Sequence, residues 1–153
     1  MQIVILSVGK LKEKFWREAE AEYRKRLQSF ASLTIEELTD EPGDQAERVK
    51  SLEGAHILER IRDRDMVIAL DMHGKKFTSE GFAEWLDRQF AAGASRYILV
   101  IGGSHGLDEK VLQRAEMTLS FSDFTFPHQL MRIILLEQLY RAFQIMRNSP
   151  YHK

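Results

Sequence analysis

The sequence predicts an α/β fold: a mostly parallel sheet with helices on both faces, in one domain spanning residues 1–153. Two observations carry the prediction. Segments of strand and helix character alternate from one end to the other, and a run of β-α units of this kind builds a parallel sheet. The strand segments are also continuously apolar rather than alternating, as expected of strands covered on both sides.

The elements follow in order. Gln2 to Val8 is apolar and β-branched, a buried strand that Gly9 ends. From Glu13 to Phe30 the apolar residues Phe15, Ala19, Tyr23, Leu27 and Phe30 recur at helical spacing. Leu33 to Leu38 reads as a second strand, and Glu41-Pro42-Gly43-Asp44 as a turn. A helix with Ala46, Val49, Leu52, His56 and Ile57 on one side comes next. Met66 to Asp71 is a third strand, followed by a loop at His73-Gly74-Lys75-Lys76. Thr78 or Ser79 caps a helix bearing Phe82, Trp85, Leu86 and Phe90, and Gly93 stops it. Tyr97 to Ile101 is a strand running into Gly102-Gly103-Ser104-His105-Gly106. Asp108 caps a short helix, and Thr118 to Phe126 is extended. The last helix runs from Pro127 to Met146, with Pro at its start and Asn148, Ser149 and Pro150 breaking it.

That last helix is apolar nearly all round. Only Arg132, Glu137, Gln138, Arg141 and Gln144 form a narrow polar stripe. A helix of this kind is buried on two sides. In a chain of 153 residues one side meets the sheet, and the other is expected to meet a second subunit of a two-fold homodimer.

Composition narrows the chemistry. The longest apolar runs fall far short of the roughly 20 residues needed to span a bilayer, so no membrane segment is expected. No secretory signal is expected ahead of the first strand. The chain has no cysteine, which removes disulfides, thiolate metal sites and cysteine nucleophiles and suits a reducing cytoplasm. Its five histidines (56, 73, 105, 128, 152) show no pairing at i,i+4, so no metal site is expected. The net charge of −1 means that an RNA partner must be met by a local basic patch. Charge is uneven: Glu36, Glu37, Asp40, Glu41, Asp44 and Glu47 cluster, whereas from His128 onward Arg132, Arg141, Arg147 and Lys153 face only Glu137. Two differently solvated faces would also account for this.

Ligands of open α/β sheets bind beyond the carboxyl ends of the strands. Three segments qualify: Leu70 to Lys75, Gly102 to Gly106, and Ser122 to His128. The phosphate-loop motif is absent, since Ser104-His105-Gly106 lacks the Gly-Lys-Ser/Thr signature. The dinucleotide fingerprint is incomplete, because Ile101 stands at its first glycine, although Gly103, Gly106 and Asp123 keep a nicotinamide enzyme open. Lys75 and Lys76 are candidate phosphate contacts. Pro150-Tyr151-His152-Lys153 ends the chain with a ring, an imidazole and a cation, a set suited to an extruded or single-stranded nucleotide.

Four stretches together carry a resemblance: Ile101-Gly102-Gly103-Ser104-His105-Gly106-Leu107, Thr125-Phe126-Pro127-His128-Gln129-Leu130-Met131-Arg132, Leu136-Glu137-Gln138-Leu139-Tyr140-Arg141-Ala142, and Pro150-Tyr151-His152. With Leu70-Asp71, Gly74-Lys75 and Glu53-Gly54, they resemble the RlmH family over the whole chain. Members of that family are small SPOUT-class enzymes that methylate N3 of a pseudouridine in large-subunit (23S) ribosomal RNA. The resemblance implies a C-terminal trefoil knot, which strand and helix patterning would not propose because knots are rare. It implies a homodimer and S-adenosyl-L-methionine (SAM) held by the knot loops, at Leu70, Gly102, Gly103, Ser122, Asp123, Phe124, Thr125, Phe126 and Pro127. It implies that His128, Arg132, Tyr151 and His152 form a composite catalytic site drawn from both subunits, and that the assembled ribosome in the cytoplasm is the substrate. Phe124 stands where a smaller or more flexible residue is expected. The acidic 36–47 stretch replaces a region that can be basic in relatives, which argues against RNA contact there. His128 and His152 are both suited to act as general base, and the sequence does not choose between them. A non-catalytic RNA-binding factor on the same fold is the remaining alternative.

Overall fold

A computed structural model describes residues 1–153. Ten elements alternate: β1 (Gln2–Val8), α1 (Lys14–Leu27), β2 (Ser32–Leu38), α2 (Ala46–Glu59), β3 (Met66–Lys75), α3 (Ser79–Ala92), β4 (Arg96–Ile101), α4 (Glu109–Arg114), β5 (Met117–Leu119) and α5 (His128–Met146). The five strands form one sheet in the order β2-β1-β4-β3-β5. Every pairing is parallel. This is the α/β sheet covered on both faces that the apolar strands predict.

Alternation along the strands sorts the core into two layers. Ile3, Ile5, Ile68, Leu99 and Ile101 point to one face, where they pack with Leu27 of α1, Phe82 and Leu86 of α3, and Leu135, Leu136 and Leu139 of α5. Val4, Leu6, Val67, Ala69, Ile98 and Val100 point to the other, under Ile57 of α2 and Val111 of α4. Helix α5 lies between α1 and α3 and touches β4. Its flanks are therefore covered within the chain, and no residue from 128 to 146 is fully exposed. Leu130, Ile133, Ile134 and Ile145 nonetheless remain only half-buried.

The caps match the expectations in part. Thr78 caps α3 by accepting the Gly81 N–H at 3.0 Å, and Gly93 ends that helix with φ 89°. Asp108 precedes α4 but makes no side-chain cap hydrogen bond.

Two segments differ from the sequence reading. The stretch read as a loop, His73 to Lys76, belongs largely to β3. After Leu70 the strand bulges and then rejoins β5, so that both Leu70 and Lys75 pair with Leu119. Asp71 shapes the bulge by accepting the His73 N–H at 3.1 Å. Gly74 makes the return possible, because a Cβ there would lie 2.7 Å from backbone atoms of Thr118 and Leu119. Conversely, the extended stretch from Thr118 to Phe126 keeps strand pairing only to Leu119. Past that point the backbone turns on its own side chains. The Ser122 hydroxyl accepts the Phe124 N–H at 3.0 Å, and the Ser120 hydroxyl donates to the Ser122 carbonyl at 3.1 Å. Local bonds of this kind compete with a strand ladder.

Candidate active site

A cavity of about 290 Å³ opens at the carboxyl ends of β3, β4 and β5. That is near the lower bound of the roughly 300–1,000 Å³ common for small-molecule pockets. All three candidate strand-end segments reach it. Leu70 and Asp71 come from β3, Gly102 to Gly106 follow β4, and Ser122, Phe124, Thr125 and Phe126 come from the connection between β5 and α5. His128 and Met131 enter from the first turn of α5.

Two of the residues expected around a cofactor stand outside the wall. Asp123 turns outward and pairs with Lys76, which ties the end of β3 to the loop after β5. Pro127 is the N-cap of α5, extended with ψ 144°. Phe124 lines the cavity yet is 81% exposed. Sequence reasoning missed Leu119, Ser120, Phe121 and Met131, which also line it. Met131 was within reach of helical spacing, three residues after His128 on the same face. Leu119 ends β5, and Ser120 and Phe121 follow it, in a stretch that the sequence reads as extended to Phe126.

The glycine loop is seated on α2. Gly106 takes φ +86° and donates its N–H to the Gly103 carbonyl at 3.0 Å, closing the turn. Beneath it, a Cβ on Gly103 would lie 3.1 Å from Glu53 Oε1 and 3.2 Å from Val8 Cγ1. Glu53 is 2% exposed. Its Oε2 accepts the Glu41 N–H at 3.0 Å, while Oε1 has no partner. Burial, with Asp40 and Glu41 adding to it, raises the Glu53 pKa above 4.5, against the opposing pull of the Glu41 N–H. The unfolded carboxyl releases its proton near 4.5, whereas the folded one holds it to higher pH. The folded state therefore loses stability as pH rises from that value through the raised one. Glu53→Gln keeps the acceptor and supplies a permanent N–H. It is expected to be more stable than the parent by about 1 kcal/mol at pH 8 and to lose that advantage at pH 4. Thermal melts at the two pH values check this, and the same difference at both would contradict it.

The four expected catalytic residues are spread over three surroundings. His128 lies on the cavity wall, with its imidazole against Gly9. Arg132, one turn further along α5, is 1% exposed. Its guanidinium donates to Glu20 at 3.0 Å, to Glu37 at 2.8 Å and to the Gly9 carbonyl at 3.1 Å, bracing α5 against α1, β2 and the end of β1.

Tyr151 and His152 fold back on α5 and α3 of their own chain. The Tyr151 hydroxyl donates to Glu137 at 3.2 Å, and its ring meets Tyr140 edge-on at 4.9 Å. Burial and then Glu137 raise the Tyr151 pKa above 10.0, so this hydroxyl keeps its proton at neutral pH. His152 lies between Arg141, 3.1 Å from Nδ1, and Glu80, 2.7 Å from Nε2. Arginine only donates, so Nδ1 accepts and Nε2 carries the proton toward Glu80. The bond from His152 in turn holds the Glu80 carboxyl below its ordinary range. A second cavity of about 210 Å³ includes Ser79 and Gln138, the chain neighbours of Glu80 and Glu137, and shares Leu119 to Ser122 and Phe126 with the first.

No three histidine or acidic side chains converge to hold a metal ion. No helix is long and apolar enough to cross a membrane.

Comparison with known families narrows the readings that this geometry leaves open. A family model described as a predicted SPOUT methyltransferase matches residues 1–152. The chain belongs to the SPOUT methyltransferase family. Methyl transfer from SAM is the chemistry of that family. The SPOUT cavity here suits that cofactor. Leu70, Ile101, Leu107 and Leu119 offer apolar walls for an adenine, and the glycine loop exposes backbone to a ribose. Asp71, the one carboxylate in the wall, offers a counter-charge to a cationic ligand.

Proposed function

We propose that the chain is a SAM-dependent methyltransferase that methylates N3 of a pseudouridine in 23S ribosomal RNA, acting as a cytoplasmic homodimer on the assembled ribosome. One observation carries the reading. The segment from Thr125 to His152, specific in its resemblance to the RlmH family, supplies a wall of the cavity and a tail held in place on Glu80. Ser122 to Pro127 and the glycine loop, with Leu70, would hold SAM, which brings a methyl group on a positively charged sulfur. The trefoil knot that the resemblance implies would form this cofactor site.

The protein's own task is alignment. An in-line displacement needs the acceptor nitrogen close, correctly directed and partly deprotonated, and positioning supplies much of the rate. His128 places an imidazole on the cavity wall of its own chain, at the start of α5. His152, held outside that wall by Arg141 and Glu80, would serve the cavity of a second subunit. Leu130, Ile133 and Ile134 of α5, half-buried and outside both core layers, support a dimer that joins the two.

Titration calorimetry tests the cofactor assignment. SAM is expected to bind at one site per chain and NAD not at all. Binding of NAD instead would restore the oxidoreductase reading built on Gly103, Gly106 and Asp123.

A further inference from the structure

The three arginines of the C-terminal run are engaged inside the chain. Arg132 is buried among carboxylates, Arg141 is bound to Glu137 at 2.6 Å, and the Arg147 guanidinium lies 4.1 Å from the Phe30 ring centre. A denser group of cations spans the connection from β1 to α1 and the first turn of α1. Residues 10–17 carry Lys10, Lys12, Lys14 and Arg17 against the single acid Glu13, in a chain whose net charge is −1.

This connection is pinned from beneath. Leu11 is buried and its N–H donates to Glu37 Oε2 at 3.1 Å. Arg17 spends its guanidinium on the Leu11 and Lys12 carbonyls. With Leu11 anchored, Lys10 and Lys12 stand out into solvent. Lys14 is 82% exposed and meets only Glu18, across 3.6 Å. Beside them Phe15 is 61% exposed, its ring centre 4.9 Å from that of Trp16. The foot of the connection lies against one residue of the cavity wall. A Cβ on Gly9 would lie 3.5 Å from Nε2 of His128, which lines the cavity wall.

We propose that Lys10, Lys12, Lys14 and Phe15 form a docking surface for single-stranded RNA at the edge of the cavity. The lysines meet successive phosphates and Phe15 stacks on an unpaired base. Taking the ligand as RNA rests on the function proposed above. RNA fits better than an anionic lipid surface because the patch adjoins a concave site that a strand can enter and a bilayer cannot.

The test is fluorescence anisotropy with a single-stranded RNA of about 12 nucleotides, within the span that such surfaces cover. Combined Lys10→Gln, Lys12→Gln and Lys14→Gln changes should lower the slope of log Kd against log salt by about 2, near 0.7 for each phosphate no longer neutralised. Phe15→Ala should weaken single-strand binding about 10-fold and leave duplex binding unchanged. All four residues are exposed, so melting temperature and SAM affinity should stay at parental values. Equal RNA binding by parent and triple variant, or no binding by the parent, overturns the surface. So does a triple variant that loses affinity for phosphatidylserine vesicles while keeping it for RNA. If the parent binds RNA through these residues yet transfers no methyl group, the methyltransferase reading fails and the surface stands. If the triple variant methylates ribosomes at the full rate, the surface fails and that reading stands.

Discussion

Arg132→Ala is expected to lower the melting temperature by about 6–12 °C. Removing one partner of a buried ion cluster strands the charges left behind and commonly costs about 3–5 kcal/mol. Glu20 and Glu37 keep 16% and 36% of their side-chain surface in water, so the lower figure applies. For a chain of about 150 residues, each kcal/mol shifts the midpoint by roughly 2–4 °C. The backbone contributes as well, because the Gly9 carbonyl loses the donor that fixes it beside His128. Methyl transfer should fall with the stability. Arg132→Lys keeps the charge and loses the fork, so it should lie between the two. The experiment separates two roles for one residue. A brace lowers the melting temperature; a group held out to the substrate lowers activity and leaves melting unchanged.

Deleting Tyr151 to Lys153 should cut methyl transfer at least about 100-fold, the scale on which misplacing a reacting group acts. SAM affinity should stay within about two-fold, since no tail residue lines the cavity. Melting should change little, because the deletion removes only the interactions of a chain end, chiefly Tyr151 with Glu137 and Tyr140 and His152 with Glu80. Full activity after the deletion would refute a catalytic part for the tail. A matching loss of SAM affinity would instead make the tail a support of the cavity.

The layered fold was legible because strand patterning reports burial directly. Val4 and Ile5, or Val67 and Ile68, are apolar in succession because each residue of the pair faces a different helix layer. The candidate site was legible in its segments, since the carboxyl ends of β3, β4 and β5 are where such a sheet places a ligand. Pairwise geometry was hidden. Arg132 reads as one member of a polar stripe until Glu20 and Glu37, more than ninety positions away in sequence, close around it. The rejoining of β3 with β5 depends on Gly74 lying against Leu119, a long-range approach with no local signature. Glu53 looks like an ordinary helix acid until Gly103 is laid over it. The lysines between β1 and the first turn of α1 stay inconspicuous in sequence for a similar reason. A charge run usually marks a solvated face, and only the approach of Gly9 to His128 ties this one to the cavity.

The most direct test of the central claim is transfer of a tritiated methyl group from SAM to ribosomes purified from cells that lack this protein, with the product mapped by nuclease digestion and mass spectrometry. One methyl group per ribosome, on N3 of a pseudouridine in the large-subunit RNA, is the predicted result. Ribosomes left unlabelled by a protein that binds SAM, or a label on another atom or molecule, would contradict it.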